Sequence, residues 1–235
     1  MTRWARLTWQ AAEPAALAAD LGPRLGVAPG PHPTLDGAFV LPLGDAEVEV
    51  VPWRRESPSD APCSDGRLVF EPIEGGAPDP IVHGPPPLRL AGIGWSTVEL
   101  DRAEIELEAW LAGPPPDPDD DGREPHLGAR ARVRVTSGLP GDALVLLEPV
   151  TEGRVAASLA RDGEGPCAIY VWPHGGLDAW LEGARDRRVT VSAVHPGPFG
   201  RSVLLLPATM AGPFVIVVEH GRPSSGRPGP ATIGA

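Results

Sequence analysis

The run DPDDDG at residues 117–122 spaces its carboxylates as the opening of a calcium-binding loop does, with Gly122 in the sixth position. Such a loop closes on a bidentate glutamate at the twelfth position. Gly128 stands there instead, and Pro125 interrupts the helix that should follow, so a solvated acidic loop is expected. Arg130, Arg132 and Arg134 alternate with apolar residues and share one face of a strand. Lining a cavity, that face would want an anion. A charged solvent face is the expectation, because burying three unpaired guanidinium groups is very costly. His32, His83, His126, His174, His195 and His220 show no i, i+4 pairing, and several adjoin prolines, so surface positions are expected for them. His195, which ends a strand in VSAVHPGPFG, is the histidine placed for a role at a rim. Cys63 and Cys167 lie too far apart for a metal motif, and two cysteines are too few for a disulfide framework.

Composition excludes several classes. Every basic residue is arginine, so Schiff-base chemistry, a pyridoxal-phosphate anchor and a phosphate-loop lysine are ruled out. Gln10 is the only glutamine and asparagine is absent. The net charge of −11 disfavours nucleic acid, whose phosphates need a basic patch. No apolar run reaches the ~18 residues of a membrane helix, and MTRWARLTWQ lacks the apolar stretch of a signal peptide. A cytoplasmic protein with free thiols follows as the expectation. Gly 29 and Pro 31 would suggest disorder, but hydrophobic residues at 42% cluster in runs of strand and helix length. Ordered elements joined by proline-rich loops are therefore expected.

Those elements recur. RWARLTWQ leads into a helix with Pro14 in its first turn and Leu17, Leu21 and Leu25 on one stripe, which Pro23 should bend or stop near Gly22. GAFVLPLG and DAEVEVVPW follow as strands joined through Gly44-Asp45. Residues 54–91 read as a linker, with RLVFEP as one short strand candidate. GIGWSTVELDRAEIELEAWLAG is again strand then helix, with Asp101 and Glu104 as a capping box and Gly113 as the stop. HLGARARVRVTS and ALVLLEP supply strands, and a short helix spans about 152–161. CAIYVWP then opens a third unit whose helix carries Leu177, Trp180, Leu181 and Ala184, followed by VTVSAVH, RSVLLL and FVIVVE. Three similar units indicate an internal repeat.

LVLLEPVTEGRVAASLARDGEGPCAIYVW, with its Leu-Glu-Pro phrase, short helix and Gly-Glu-Gly passage into a strand, resembles the centre of a vicinal oxygen chelate protein. That superfamily holds glyoxalase I, methylmalonyl-CoA epimerase, bleomycin-resistance proteins and extradiol dioxygenases. LLLPATMAGPFVIVVEH looks like the family's last hairpin. The resemblance implies an α+β fold in which repeated βαβββ units form curved mixed sheets with outer helices. It divides the chain into a degenerate amino-terminal βαββ unit at 1–53, the linker at 54–91, a glyoxalase-like pair at 92–222 and a flexible tail at 223–235.

The family holds a metal with side chains on the first and last strands of paired units. Carried over, those positions fall near Gly94, Val145, Ala168 and Ile216, none of which binds a metal. A thiolate at Cys167 would need soft partners that are absent. In the amino-terminal unit the positions are Arg6 and Glu49, which would form a charge pair where a metal would otherwise sit. Strand alternation sets Thr8 and Gln10 beside Arg6, and sets Tyr170, Trp172, Ser96 and Phe214 toward the cup, as ordinary core or as a stacking wall around a planar or apolar ligand.

The resemblance thus implies a small-molecule binding protein with no metal centre and no cofactor, sequestering a drug or metabolite. Arg6, Thr8, Gln10, Glu49, Ser96, Tyr170, Trp172 and Phe214 would make the site. The alternative is a metal-dependent isomerase, lyase or dioxygenase of the same superfamily. An unpaired amino-terminal unit also allows a homodimer. Nucleic acid and membrane are not expected as partners.

Overall fold

The computed structural model describes residues 4–44, 46–53, 66–73, 87–114, 121–137, 139–207 and 212–221. Strand β1 (Trp4–Ala11) enters helix α1 (Pro14–Leu25), with proline in the first turn as its missing N–H permits. The helix does not stop near Gly22. Pro23 removes one backbone donor in the last turn only, and burial of Leu21 and Leu25 in the shared core carries the helix on. Gly26 ends it in the left-handed region, at φ 78°, with its N–H donated to the Gly22 carbonyl at 2.8 Å. After β2 (Gly30–Pro31), the expected hairpin forms from β3 (Phe39–Leu43) and β4 (Ala46–Pro52), turning at Gly44.

Within the stretch expected as linker, β5 (Arg67–Ile73) is a full strand. It pairs antiparallel with β1, which runs parallel to β4 on its other side, and the sheet order is β2-β3-β4-β1-β5. The next strand, β6 (Leu88–Ser96), also begins inside that stretch.

The larger sheet is built from two units. The first is β6, α2 (Leu100–Glu106), a 3-10 turn at Glu108–Trp110, β7 (Gly122–Glu124), β8 (Ala129–Val135) and β9 (Ala143–Pro149). Helix α3 (Arg154–Asp162) leads to the second, made of β10 (Gly165–Pro173), α4 (Leu177–Asp186), β11 (Thr190–Val191), β12 (His195–Gly197), β13 (Gly200–Leu206) and β14 (Phe214–Val218). The first strands β6 and β10 pair antiparallel at the centre, and each runs parallel to its own last strand, β9 or β14. The order is β11-β13-β14-β10-β6-β9-β8-β7 with β12 on β13, and the outlying strands β7 and β12 approach each other to nearly close the curve.

Alternation divides the side chains between two cores. One gathers Leu21 and Leu25 of α1, Leu100 and Ala103 of α2, Leu177 and Trp180 of α4, and one face of both sheets. The other fills the inner face of the larger sheet with Leu147, Tyr170, Phe199 and Phe214, closed over by Val155 of α3.

Helix α2 departs from its expected form. Glu99 is the N-cap with no side-chain cap bond, and the helix ends at Leu107, well before Gly113. Asp101 and Glu104 are drawn instead to the arginines of β8. Arg132 binds Asp101 at 2.7 Å, Glu104 at 2.8 Å and Asp121 at 2.7 Å, while Arg134 pairs with Glu104 and the Gly113 carbonyl. The arginine face therefore points away from the cup, as expected, but it is not a solvent face. Arg132 and Arg134 are buried beneath α2, where the carboxylates of Asp101, Glu104 and Asp121 offset the cost of that burial, and Glu148 stands near the more exposed Arg130. Asp121, the last carboxylate of the calcium-like run, is committed to Arg130 and Arg132, which hold its carboxyl below the usual range against the opposing effect of burial.

Candidate functional site

The cup of the larger sheet holds the positions that the sequence resemblance singles out for metal ligands. Gly94 of β6 lies directly opposite Ala168 of β10 and beside Val145 of β9, so the expected positions do converge. They converge on hydrocarbon. A Cβ added at Gly94 would stand 2.9 Å from the Ala168 Cβ, 3.0 Å from Leu147 Cδ1 and 3.4 Å from Tyr170 Cε2. Ile216 is buried opposite Tyr170. Burial pushes the Cys167 thiol up to about 12, which leaves it protonated and inert. These residues do not fit a divalent cation. Among the described residues, no group of three His, Cys, Asp or Glu side chains is gathered as a metal site requires.

The stacking wall expected from Tyr170 and Phe214 is instead packed core. Both are fully buried, and neither lines the cleft beside Gln10. Trp172 is half-buried, packed over Gly221 with its ring 5.1 Å from that of His174.

Tyr170 has a polar partner that sequence reasoning missed. Its hydroxyl donates to Glu124 Oε2 at 3.2 Å, and the His126 N–H donates to Glu124 Oε1 at 3.1 Å. With no cation beside it, burial pushes the Glu124 carboxyl up to about 7. His126 is buried as well, contrary to the surface expectation, and burial lowers it to about 4. Its Nε2 lies 3.1 Å from both the Ser202 carbonyl and hydroxyl oxygens, so Nε2 carries the proton toward the carbonyl. His195 meets it edge to face at 5.2 Å, at the rim where β12 approaches β7. No local signal marks Glu124: β7 and β10 lie four strands apart in the larger sheet, and only the curl of that sheet brings a carboxylate to a tyrosine 46 residues away.

The amino-terminal sheet repeats the same local scheme, a central strand with a parallel neighbour and an antiparallel one. One of its faces carries polar side chains. Arg6 Nε lies 2.9 Å from Glu49 Oε1, and the expected charge pair forms. The register sets Thr8, not Arg6, directly beside Glu49, so Arg6 reaches the carboxylate from two residues along the strand. A third member is His32, whose Nε2 is 3.3 Å from Glu49 Oε1. Its Nδ1 accepts the backbone N–H groups of Thr34 and Leu35, so the proton on Nε2 points at the carboxylate. His32 is thus a buried partner and not the surface residue expected.

Two polar groups on this face are buried and stand outside the charge pair. The Thr8 hydroxyl is fully buried with no hydrogen-bond partner among the described residues. Gln10, 4% exposed, opens onto a cleft of about 350 Å³ between the two sheets, together with Arg67, Phe70, Trp95, Ser96 and Ser158. The rings of Phe70 and Trp95 stack there at 5.7 Å and 25°. The Ser96 hydroxyl donates to the Gly165 carbonyl at 3.1 Å, which keeps its oxygen able to accept. The structure thus brings Arg6, Thr8, Gln10 and Glu49 onto one face, joins Ser96 to its end, and leaves Tyr170, Trp172 and Phe214 elsewhere.

Two βαβββ units joined through antiparallel first strands, each closed by a parallel last strand, decide the architecture. The fold is glyoxalase-like. No protein-family model and no curated protein matches the chain. Among solved structures it is similar to vicinal oxygen chelate proteins. Methylmalonyl-CoA epimerase from Mycobacterium tuberculosis is 19% identical over 57% of this chain and 87% of its own, at a TM-score of 0.46. The Streptomyces coelicolor epimerase is 26% identical over 56% of this chain and 96% of its own, at 0.45. A 4-hydroxymandelate synthase mutant from Streptomyces coelicolor is 13% identical over 94% of this chain and 69% of its own, at 0.41. Among the described residues, no helix of this glyoxalase-like chain is long and apolar enough to cross a membrane.

Proposed function

We propose that this chain is a glyoxalase-like small-molecule binding protein whose ligand site lies on the amino-terminal sheet, not in the cup of the paired units. The observation that carries the reading is the buried Thr8 hydroxyl, without a partner among the described residues, beside the Arg6–Glu49–His32 group. An unsatisfied buried hydroxyl is costly, and a ligand that supplies its hydrogen bond recovers that cost. Arg6 keeps 41% of its side chain exposed and retains N–H donors for an incoming polar group. Thr8, Gln10 and Ser96 extend the contact surface toward the cleft. Sequestration of a drug or metabolite is the role this arrangement suits, because Glu49 is already held by a guanidinium and an imidazole.

A thermal-shift screen of metabolites and antibiotics, followed by calorimetry of the hits, tests the reading. At least one compound should raise the melting temperature and bind with 1:1 stoichiometry; a screen without such a compound contradicts it. Titration of chelator-free protein with Mn²⁺, Fe²⁺, Ni²⁺ and Zn²⁺ tests the competing metal-dependent isomerase, lyase or dioxygenase. No stoichiometric binding is expected, and one tightly bound equivalent would favour that alternative.

A further inference from the structure

Gln10 is the only carboxamide side chain in the entire sequence. It is 4% exposed and lines the cleft between the sheets. A primary amide presents one donor edge and one acceptor edge side by side, so the group that satisfies it best is another amide-type edge. The cleft wall adds two further constraints. Phe70 and Trp95 stack on each other and both reach the cleft, which favours a flat π system continuing the stack. Asp162, Glu164 and Arg67 line the same cleft, two carboxylates to one guanidinium, which disfavours an anion, while the carboxylates are already matched by Arg161 and Arg102, so a free cation is not demanded. Ser96 offers an acceptor to a ligand N–H. A space of about 350 Å³ lies within the range of small-molecule sites.

We propose that the cleft between the two sheets takes an uncharged, planar ring compound bearing an amide or lactam edge, with Gln10 reading that edge and Phe70 and Trp95 stacking on the ring. This rests on the reading that the β1 face is a ligand site, and it names the ligand's chemistry.

Four probes separate the elements of the proposal by calorimetry: uracil and nicotinamide, which are planar with an amide edge; benzoate, planar but anionic; and cyclohexanecarboxamide, an amide without a flat ring. The first two should bind about tenfold more tightly than the others, the size of one or two neutral hydrogen bonds plus stacking. Gln10→Leu should erase that preference, and Gln10→Glu, which keeps the shape but removes the donors, should do the same if the leucine variant does not fold. Equal affinity for all four probes, or a preference that survives in both variants, overturns the proposal. If none of the four binds while a screened compound binds and is weakened by Arg6→Ala, this inference falls and the binding function stands. If no probe and no screened compound binds, both fall.

Discussion

Buried, with the Tyr170 hydroxyl and the His126 N–H as its partners among the described residues, Glu124 keeps its proton up to about pH 7 in the folded chain, whereas in the unfolded chain it ionises near 4.5. Its contribution is therefore fully present below pH 4.5 and is lost as the pH rises through 7, amounting to roughly 3 kcal/mol. His126 acts in the opposite sense, losing stability as the pH falls from 6.5 toward 4. Glu124→Gln should gain stability over the parent at pH 8 relative to pH 5, by about that 3 kcal/mol, as read by urea denaturation at the two values. An identical difference at both would show that Glu124 does not titrate in this window. At this scale the sequence is legible only where a partner lies at a recognised position. Arg6 and Glu49 are found that way, because a family pattern names both. Glu124 and His32 are not, because their partners are set by the curl of a many-stranded sheet and by a loop whose backbone N–H groups orient an imidazole.

Helix α2 is held by charge more than by its caps. Arg132→Ala should leave Asp101, Glu104 and Asp121 facing one another around a partly buried gap and cost roughly 3–5 kcal/mol in urea denaturation. Arg130→Ala, at an exposed pair, should cost less than 1 kcal/mol. Comparable losses in the two variants would refute the ladder as the anchor of α2. Gly94→Val drives a branched side chain against Ala168 and Leu147 and should cost roughly 1–3 kcal/mol by overpacking, measured in the same way; an unchanged midpoint would mean that the cup has room. Helices, the Gly44 hairpin and most strands are legible because their signals are local: leucines four apart, a proline in a first turn, alternating arginines. The end of α2 and the pairing of β5 with β1 are not. The first depends on which arginines lie beneath the helix, and the second on a strand flanked by proline-rich chain.

One apolar core joins the two sheets, since α1 and the amino-terminal strands share it with α2, α4 and the outer face of the larger sheet. Arg24 reaches the Leu206 carbonyl at 2.5 Å, and Arg161 reaches that of Gly66 at 3.5 Å, across the same junction. Scanning calorimetry should accordingly record a single cooperative transition, and two separated transitions would contradict a common core. That continuity also makes the site intelligible. On the proposed function, the paired units with their packed cup act as scaffold, while the polar face of the smaller sheet carries the Thr8 hydroxyl and borders the cleft. The comparison that bears most directly on this division is calorimetric affinity for the best screened compound in the parent, in Arg6→Ala and in Phe214→Leu. A loss of about tenfold or more in Arg6→Ala with little change in Phe214→Leu is the expected result. Unchanged affinity in Arg6→Ala, with loss in the cup variant, would contradict it.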